Sequence, residues 1–131
     1  MFEVFTRVAR KYTCAPVQIR RSGYEQSKIK KVLDYMNAHL GRDITLNELA
    51  AVAQFSPYHL LRTFQRSVGL TPHAYLIQIR IEEGKRLLRM GNPISDVSAS
   101  TGFADQSHFT RHFKRIMGVT PGQYLPRLQT G

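Results

Sequence analysis

Residues 59–76, HLLRTFQRSVGLTPHAYL, and residues 108–125, HFTRHFKRIMGVTPGQYL, agree at nine of eighteen positions when aligned 49 apart. The shared residues are His59/His108, Arg62/Arg111, Phe64/Phe113, Arg66/Arg115, Gly69/Gly118, Thr71/Thr120, Pro72/Pro121, Tyr75/Tyr124 and Leu76/Leu125. Upstream, LNELAAVAQF (46–55) matches ISDVSASTGF (94–103) at an offset of 48, so ADQS stands opposite SPY. A chain of 131 residues therefore carries one structural unit twice, and any fold must accommodate both copies.

Each copy has the pattern helix, tight turn, helix. Thr45 followed three residues later by Glu48 is a capping-box signal, and Leu46, Leu49, Ala50 and Ala53 recur at helical spacing. QFSP breaks that helix; Ser56 suits the next N-cap and Pro57 the first helical position. Leu60, Phe64 and Val68 then share a face, and Gly69 ends the helix. In the second copy Ile94 and Val97 pack from the first helix, Gly102 supplies the turn and Asp105 caps. Phe109, Phe113 and Ile116 or Met117 form the buried stripe, and Gly118 stops it. Gln54 holds the place of Gly102, so a left-handed turn there costs about 1 kcal/mol and predicts a less rigid first copy.

Thr-Pro in both copies opens a third helix. After Thr120-Pro121 only a short turn, GQYL, is expected before Pro126. After Thr71-Pro72 the pattern continues to Gly91-Asn92-Pro93, a rod of roughly 28 Å at about 1.5 Å per residue. That is comparable to the roughly 34 Å of one DNA turn. SKIKKVLDYMNAHL (27–40) places Ile29, Val32, Leu33, Met36 and Leu40 on one face, an amphipathic helix that should pack on the first copy. The expected architecture is all-α: residues 1–24 a basic tail or remnant of an upstream domain, with RRSGY as a linker; 25–71 the first helix-turn-helix; 72–90 a linker helix; 91–131 the second.

Nineteen Lys+Arg against nine Asp+Glu give a net charge of +10, which favours a polyanionic partner, either nucleic acid or an acidic membrane surface. No apolar run is long enough to span a membrane, and the N-terminus lacks a signal-peptide core. The lone Cys14 forms no internal disulfide, is read as inert, and fits a cytoplasmic location.

The second copy, ISDVSASTGFADQSHFTRHFKRIMGVTPGQYL, resembles the signature of the AraC/XylS family of bacterial transcription regulators. Ile94, Val97, Gly102, Phe103, Ser107, Phe109, Arg111, Phe113, Lys114, Gly118, Thr120, Pro121 and Tyr124 match it, and the resemblance extends over residues 26–126. Ser98 and Gly84 stand where the family has alanine; Gly84 implies close packing or flexibility in the connector. The resemblance implies two helix-turn-helix units joined by a long helix, double-stranded DNA as partner, and an effector or dimerisation domain upstream. The chain is then expected to be a mainly monomeric portion of a longer regulator or a short stand-alone member, with RNA polymerase as a further partner.

The outward faces of the two recognition helices give the candidate DNA contacts. Base-edge contacts fall to Arg62 and Arg111, whose guanidinium groups fork onto guanine. Gln106 suits adenine, Tyr58 and Leu61 thymine methyls, and Ser107 and His108 complete the set. His59, Gln65, Arg66, Thr110, Lys114 and Arg115 are assigned to phosphates, with the helix N-termini. His108 and His112 are four apart, but no third ligand or catalytic glutamate accompanies them, so neither a metal nor any cofactor is expected. Tyr75 and Tyr124 read as core aromatics with surface hydroxyls, and Glu82-Glu83 as a solvated face. No catalytic constellation is recognisable. The function expected is a sequence-specific DNA-binding transcription regulator, with a non-specific architectural nucleic-acid binder as the alternative.

Overall fold

The computed structural model describes the backbone of residues 23–130 and the side chains of residues 23–125; most of the expected N-terminal tail, Cys14 included, lies outside them. The described residues form seven helices: α1 (Gly23–Ala38), α2 (Leu46–Ala53), α3 (Pro57–Val68), α4 (Pro72–Arg89), α5 (Ile94–Ser100), α6 (Gln106–Met117) and α7 (Pro121–Thr130). Helices α2–α3 and α5–α6 are the two helix-turn-helix units, α4 connects them, and α1 packs on the first.

Local chemistry sets these boundaries. Thr45 and Glu48 form the full capping box at α2. Ser56, Thr71 and Asp105 accept the third backbone N–H of α3, α4 and α6. At α7 Thr120 and Gln123 exchange the same pair of bonds, at 3.2 and 2.9 Å. Gly69 and Gly118 end the recognition helices at φ 88° and 83°, where a glycine has no Cβ to crowd the carbonyl.

Two local expectations need correction. Gly23 and Tyr24 are the first residues of α1 rather than the end of a linker. Helix α7 runs through Pro126 to Thr130 instead of stopping after GQYL. A proline removes one N–H from the ladder, that facing the carbonyl four residues back, without ending the helix here.

The core has two parts. The first gathers Ile29, Val32, Leu33 and Met36 from α1 with Leu49, Ala50, Leu60, Phe64 and Val68. The second is built on Val97, Phe103, Phe109 and Phe113. The connector serves both: Tyr75, Leu76 and Ile79 enter the first, and Ile77, Ile81 and Leu88 the second. Gly84 is a close-packing glycine, because a Cβ there would lie 2.8 Å from Cε1 of Phe109. Tyr75 is 2% exposed. Its hydroxyl accepts from Asn37 at 3.0 Å rather than reaching solvent, and burial pushes its pKa up to about 12. Glu82 and Glu83 are not a solvated face either. They pair with Lys85 and Arg86 at 3.5 and 2.6 Å, and their side chains are only 11% and 14% exposed.

Candidate nucleic-acid interface

Helices α3 (PYHLLRTFQRSV) and α6 (QSHFTRHFKRIM) contain no acidic residue. Each buries a phenylalanine-centred stripe, Leu60, Phe64 and Val68 in one and Phe109 and Phe113 in the other. Burying that stripe fixes which way the opposite face points. Arg62 and Arg111, equivalent in the two copies, are both exposed. On α3 Tyr58 is 69% exposed, and the Arg62 guanidinium lies over its ring at 5.5 Å; Gln65 is exposed beside them. On α6 Gln106, Ser107, Thr110 and Arg111 line one shallow open depression, flanked by exposed Lys114 and Arg115.

Three candidates also make contacts within the protein. Leu61 is half-buried and lines an apolar depression with Met36, Leu49, Pro72 and Leu76. His59 stacks on Phe55 at 4.2 Å, and its Nε2 lies 3.1 Å from Glu25 Oε2. His108 is half-buried, edge-on to Phe103 at 5.4 Å, with Nε2 3.0 Å from that of His112. The two repeated histidines thus share a packing role on the phenylalanine that follows each turn. Arg66 is half-buried.

A chain of donors organises the end of α6. Arg115 donates to Nδ1 of His112 at 2.9 Å, so the His112 proton sits on Nε2 and is directed at Nε2 of His108. The His108 proton is then on Nδ1, a buried atom with no hydrogen-bond partner among the described residues. Burial, followed by the neighbouring Arg115, His108, Arg111 and His73, holds the His112 pKa below its usual value.

Arg80, in the middle of the connector, escaped the sequence reading. It is 6% exposed; its Nε donates to the Leu40 carbonyl at 2.8 Å and its Nη2 to the Arg42 carbonyl at 2.9 Å. The guanidinium also lies 5.8 Å from the Phe103 ring centre. Position alone offered a signal: Arg80 falls on the face that carries Leu76, Ile77 and Gly84, where an exposed cation has no place.

Among the described residues no three His, Cys, Asp or Glu side chains gather as a metal site, and no helix is long and apolar enough to cross a membrane. A helix-turn-helix domain family model matches residues 49–127, from within α2 through the whole second unit. The chain belongs to the AraC-type helix-turn-helix family. Among its relatives, the uncharacterized HTH-type transcriptional regulator YbfI of Bacillus subtilis is 43% identical over 62% of this chain and 30% of its own length. The DNA-binding domain of AdpA, solved in complex with a target DNA, superimposes with a TM-score of 0.74 at 26% identity, covering 78% of this chain and 93% of that one. The C-terminal domain of AraT, a response regulator from Geobacillus stearothermophilus, gives 0.72 at 29%, covering 76% and 84%. This chain spans less than half the length of the first curated relatives it matches, 30%, 43% and 27%.

Proposed function

We propose that this chain is a sequence-specific DNA-binding transcription regulator whose two recognition helices enter adjacent major-groove segments of one duplex. The observation that carries the proposal is the pair of equivalent exposed arginines, Arg62 and Arg111, on two acid-free helices joined by one continuous connector. The likeness to a domain solved on its target DNA supports it. Arg62 and Arg111 read guanine edges; Tyr58 flanks the first, and Gln106 and Ser107 flank the second. Gln65, Arg66, Thr110, Lys114 and Arg115 anchor phosphates. His59, His108 and Leu61, the residues drawn toward the protein, supply weaker contacts at the rim. Reading DNA rather than catalysis, a cytoplasmic location, contact with RNA polymerase and dimerisation through an upstream segment belong to the same proposal and rest on the family alone.

Binding-site selection from random duplexes tests this reading. The expected product is a bipartite, non-palindromic motif with half-sites about one helical turn apart. Affinity should fall roughly 10³–10⁵-fold between 50 and 200 mM salt if some 6–10 phosphates are neutralised. Arg111→Ala should lose about 1–3 kcal/mol and relax preference at one base pair of one half-site, with Arg62→Ala doing the same in the other. Equal weakening on selected and scrambled duplexes would instead identify an architectural binder.

A further inference from the structure

Both helix-turn-helix units meet at one buried cation. Arg80 belongs to the connector, yet its two hydrogen bonds go to carbonyls of the α1–α2 loop, Leu40 and Arg42, which belong to the first unit. Its other side faces the turn of the second unit. A Cβ on Gly102 would stand 2.8 Å from Cζ of Arg80, and Phe103 lies against the same guanidinium. Next to this junction the two units touch directly: a Cβ on Gly41 would stand 2.7 Å from the Ser100 carbonyl oxygen at the end of α5. The Arg42 side chain carries the link onward. It donates to Glu48 at 2.5 Å and to the Tyr35 hydroxyl at 2.8 Å, and Glu48 is the partner of the N-cap Thr45 in the capping box of α2. One connected set of contacts therefore runs from the start of the first unit's first helix to the turn of the second.

A helix alone fixes the separation of its ends but leaves each unit free to rock about its junction with the helix. A planar donor fork held by two carbonyls on one side and covered by a turn on the other removes that freedom. We infer that Arg80 is a positioning residue that sets the mutual orientation of the two reading units, and with it the half-site spacing the protein accepts. The inference rests on the two-headed reading proposed above. Two units held in register present the second at high effective concentration once the first has bound; loosening them lowers that concentration without touching either contact face.

The test uses the full chain and three variants: Arg80→Met, which keeps the stem and loses the donors, Arg80→Lys, and Gly41→Ala. Gly41 lies outside the left-handed region, so an alanine there acts only by pushing against Ser100. Affinities are measured on the selected duplex, on each half-site alone, and on duplexes with the half-sites moved one base pair closer or farther. Spin labels at exposed Asn47 and Ser95, in a Cys14→Ser background, report the distance distribution between the units without DNA. For Arg80→Met we expect about a tenfold loss on the selected duplex, unchanged half-site binding, flattened spacing preference and a broadened distance distribution. Lys, a point donor, should restore part of each. Gly41→Ala should shift the mean distance and the preferred spacing, and it decides the matter if Arg80→Met fails to fold. Unchanged spacing preference and distance widths, or half-site binding that falls as much as full-site binding, would overturn the inference. If wild-type protein bound a half-site as tightly as the full site, the two-headed reading would fail instead, and the distance distributions would still judge the clamp.

Discussion

The two copies of the repeat share a scaffold but not a foundation. Among the described residues, the first packs on α1 and its core holds fourteen buried residues, while the second has no equivalent of α1 and its core holds seven. Their turns differ for a related reason. Gln54 adopts the left-handed conformation at φ 59°, with Lys28 of α1 donating to its side chain at 2.6 Å. Gly102, at φ 85°, additionally lies where any side chain would strike Arg80. The first turn carries a side chain whose amide oxygen accepts from Lys28 of α1, whereas at the second a Cβ would already strike Arg80. The expectation that Gln54 makes the first unit the looser one, at a local cost of about 1 kcal/mol, stands beside the larger described core of that same unit, and hydrogen exchange decides between them. The recognition faces diverge as well: Tyr58, Leu61 and Gln65 in one stand where the other has Ser107, Thr110 and Lys114. The repeat keeps the arginine and varies its neighbours.

The largest expected effect comes from the phenylalanine anchors. Phe64→Ala and Phe113→Ala should each destabilise by about 3–5 kcal/mol. By native-state hydrogen exchange, Phe113→Ala should open α5–α6 well before α1–α3, whereas Phe64→Ala should leave the two units closer in protection. Exchange of α3 ahead of α6 in the Phe113 variant would break the comparison of cores. A smaller effect sharpens the comparison of turns: Gln54→Gly should raise stability by about 1 kcal/mol, and Gly102→Gln should lower it by more. Equal tolerance at both turns in thermal denaturation would remove the special constraint at Gly102.

The smallest effect is acid sensitivity. The folded pKa of His112 is depressed, so its contribution is present above the unfolded value near 6.5 and is lost as pH falls through the folded one. Glu48, in the first unit, is lowered to about 2 by Arg42 and then Tyr35; its contribution declines only below about 4.5. Between pH 7 and 5.5 the melting temperature should therefore drop slightly, with the second unit responsible, and His112→Gln should reduce the drop. An equal drop in that variant would assign the sensitivity elsewhere.

Caps, glycine stops and buried stripes were legible because each is written within four residues, whereas Pro126 does not end α7. Thr45 with Glu48, Ser56 with Pro57, and the Leu60–Phe64–Val68 spacing needed no tertiary information. Arg62 and Arg111 could be placed outward because the stripe opposite them defines the face. What escaped depends on distant partners. The carbonyls that hold Arg80 are 38 and 40 residues away, and no period connects them. Repetition marks a constraint at His59 and His108 without naming it; beside the DNA contacts assigned to them, each packs on a phenylalanine, Phe55 or Phe103. Glu82 and Glu83 looked solvated because ion pairs three residues apart leave no trace in hydropathy.

The connector's double allegiance bears on how such a molecule can be taken apart or recombined. Successive residues of α4 side with opposite neighbours, Leu76 with one core and Ile77 with the other, so no cut along it yields two self-sufficient pieces. A fragment ending at residue 71 would leave Phe64 without its edge contact to Tyr75, and one beginning at residue 91 would strip the floor from Phe109. Chimeras that exchange reading units between relatives must carry the matching side of this helix along with them.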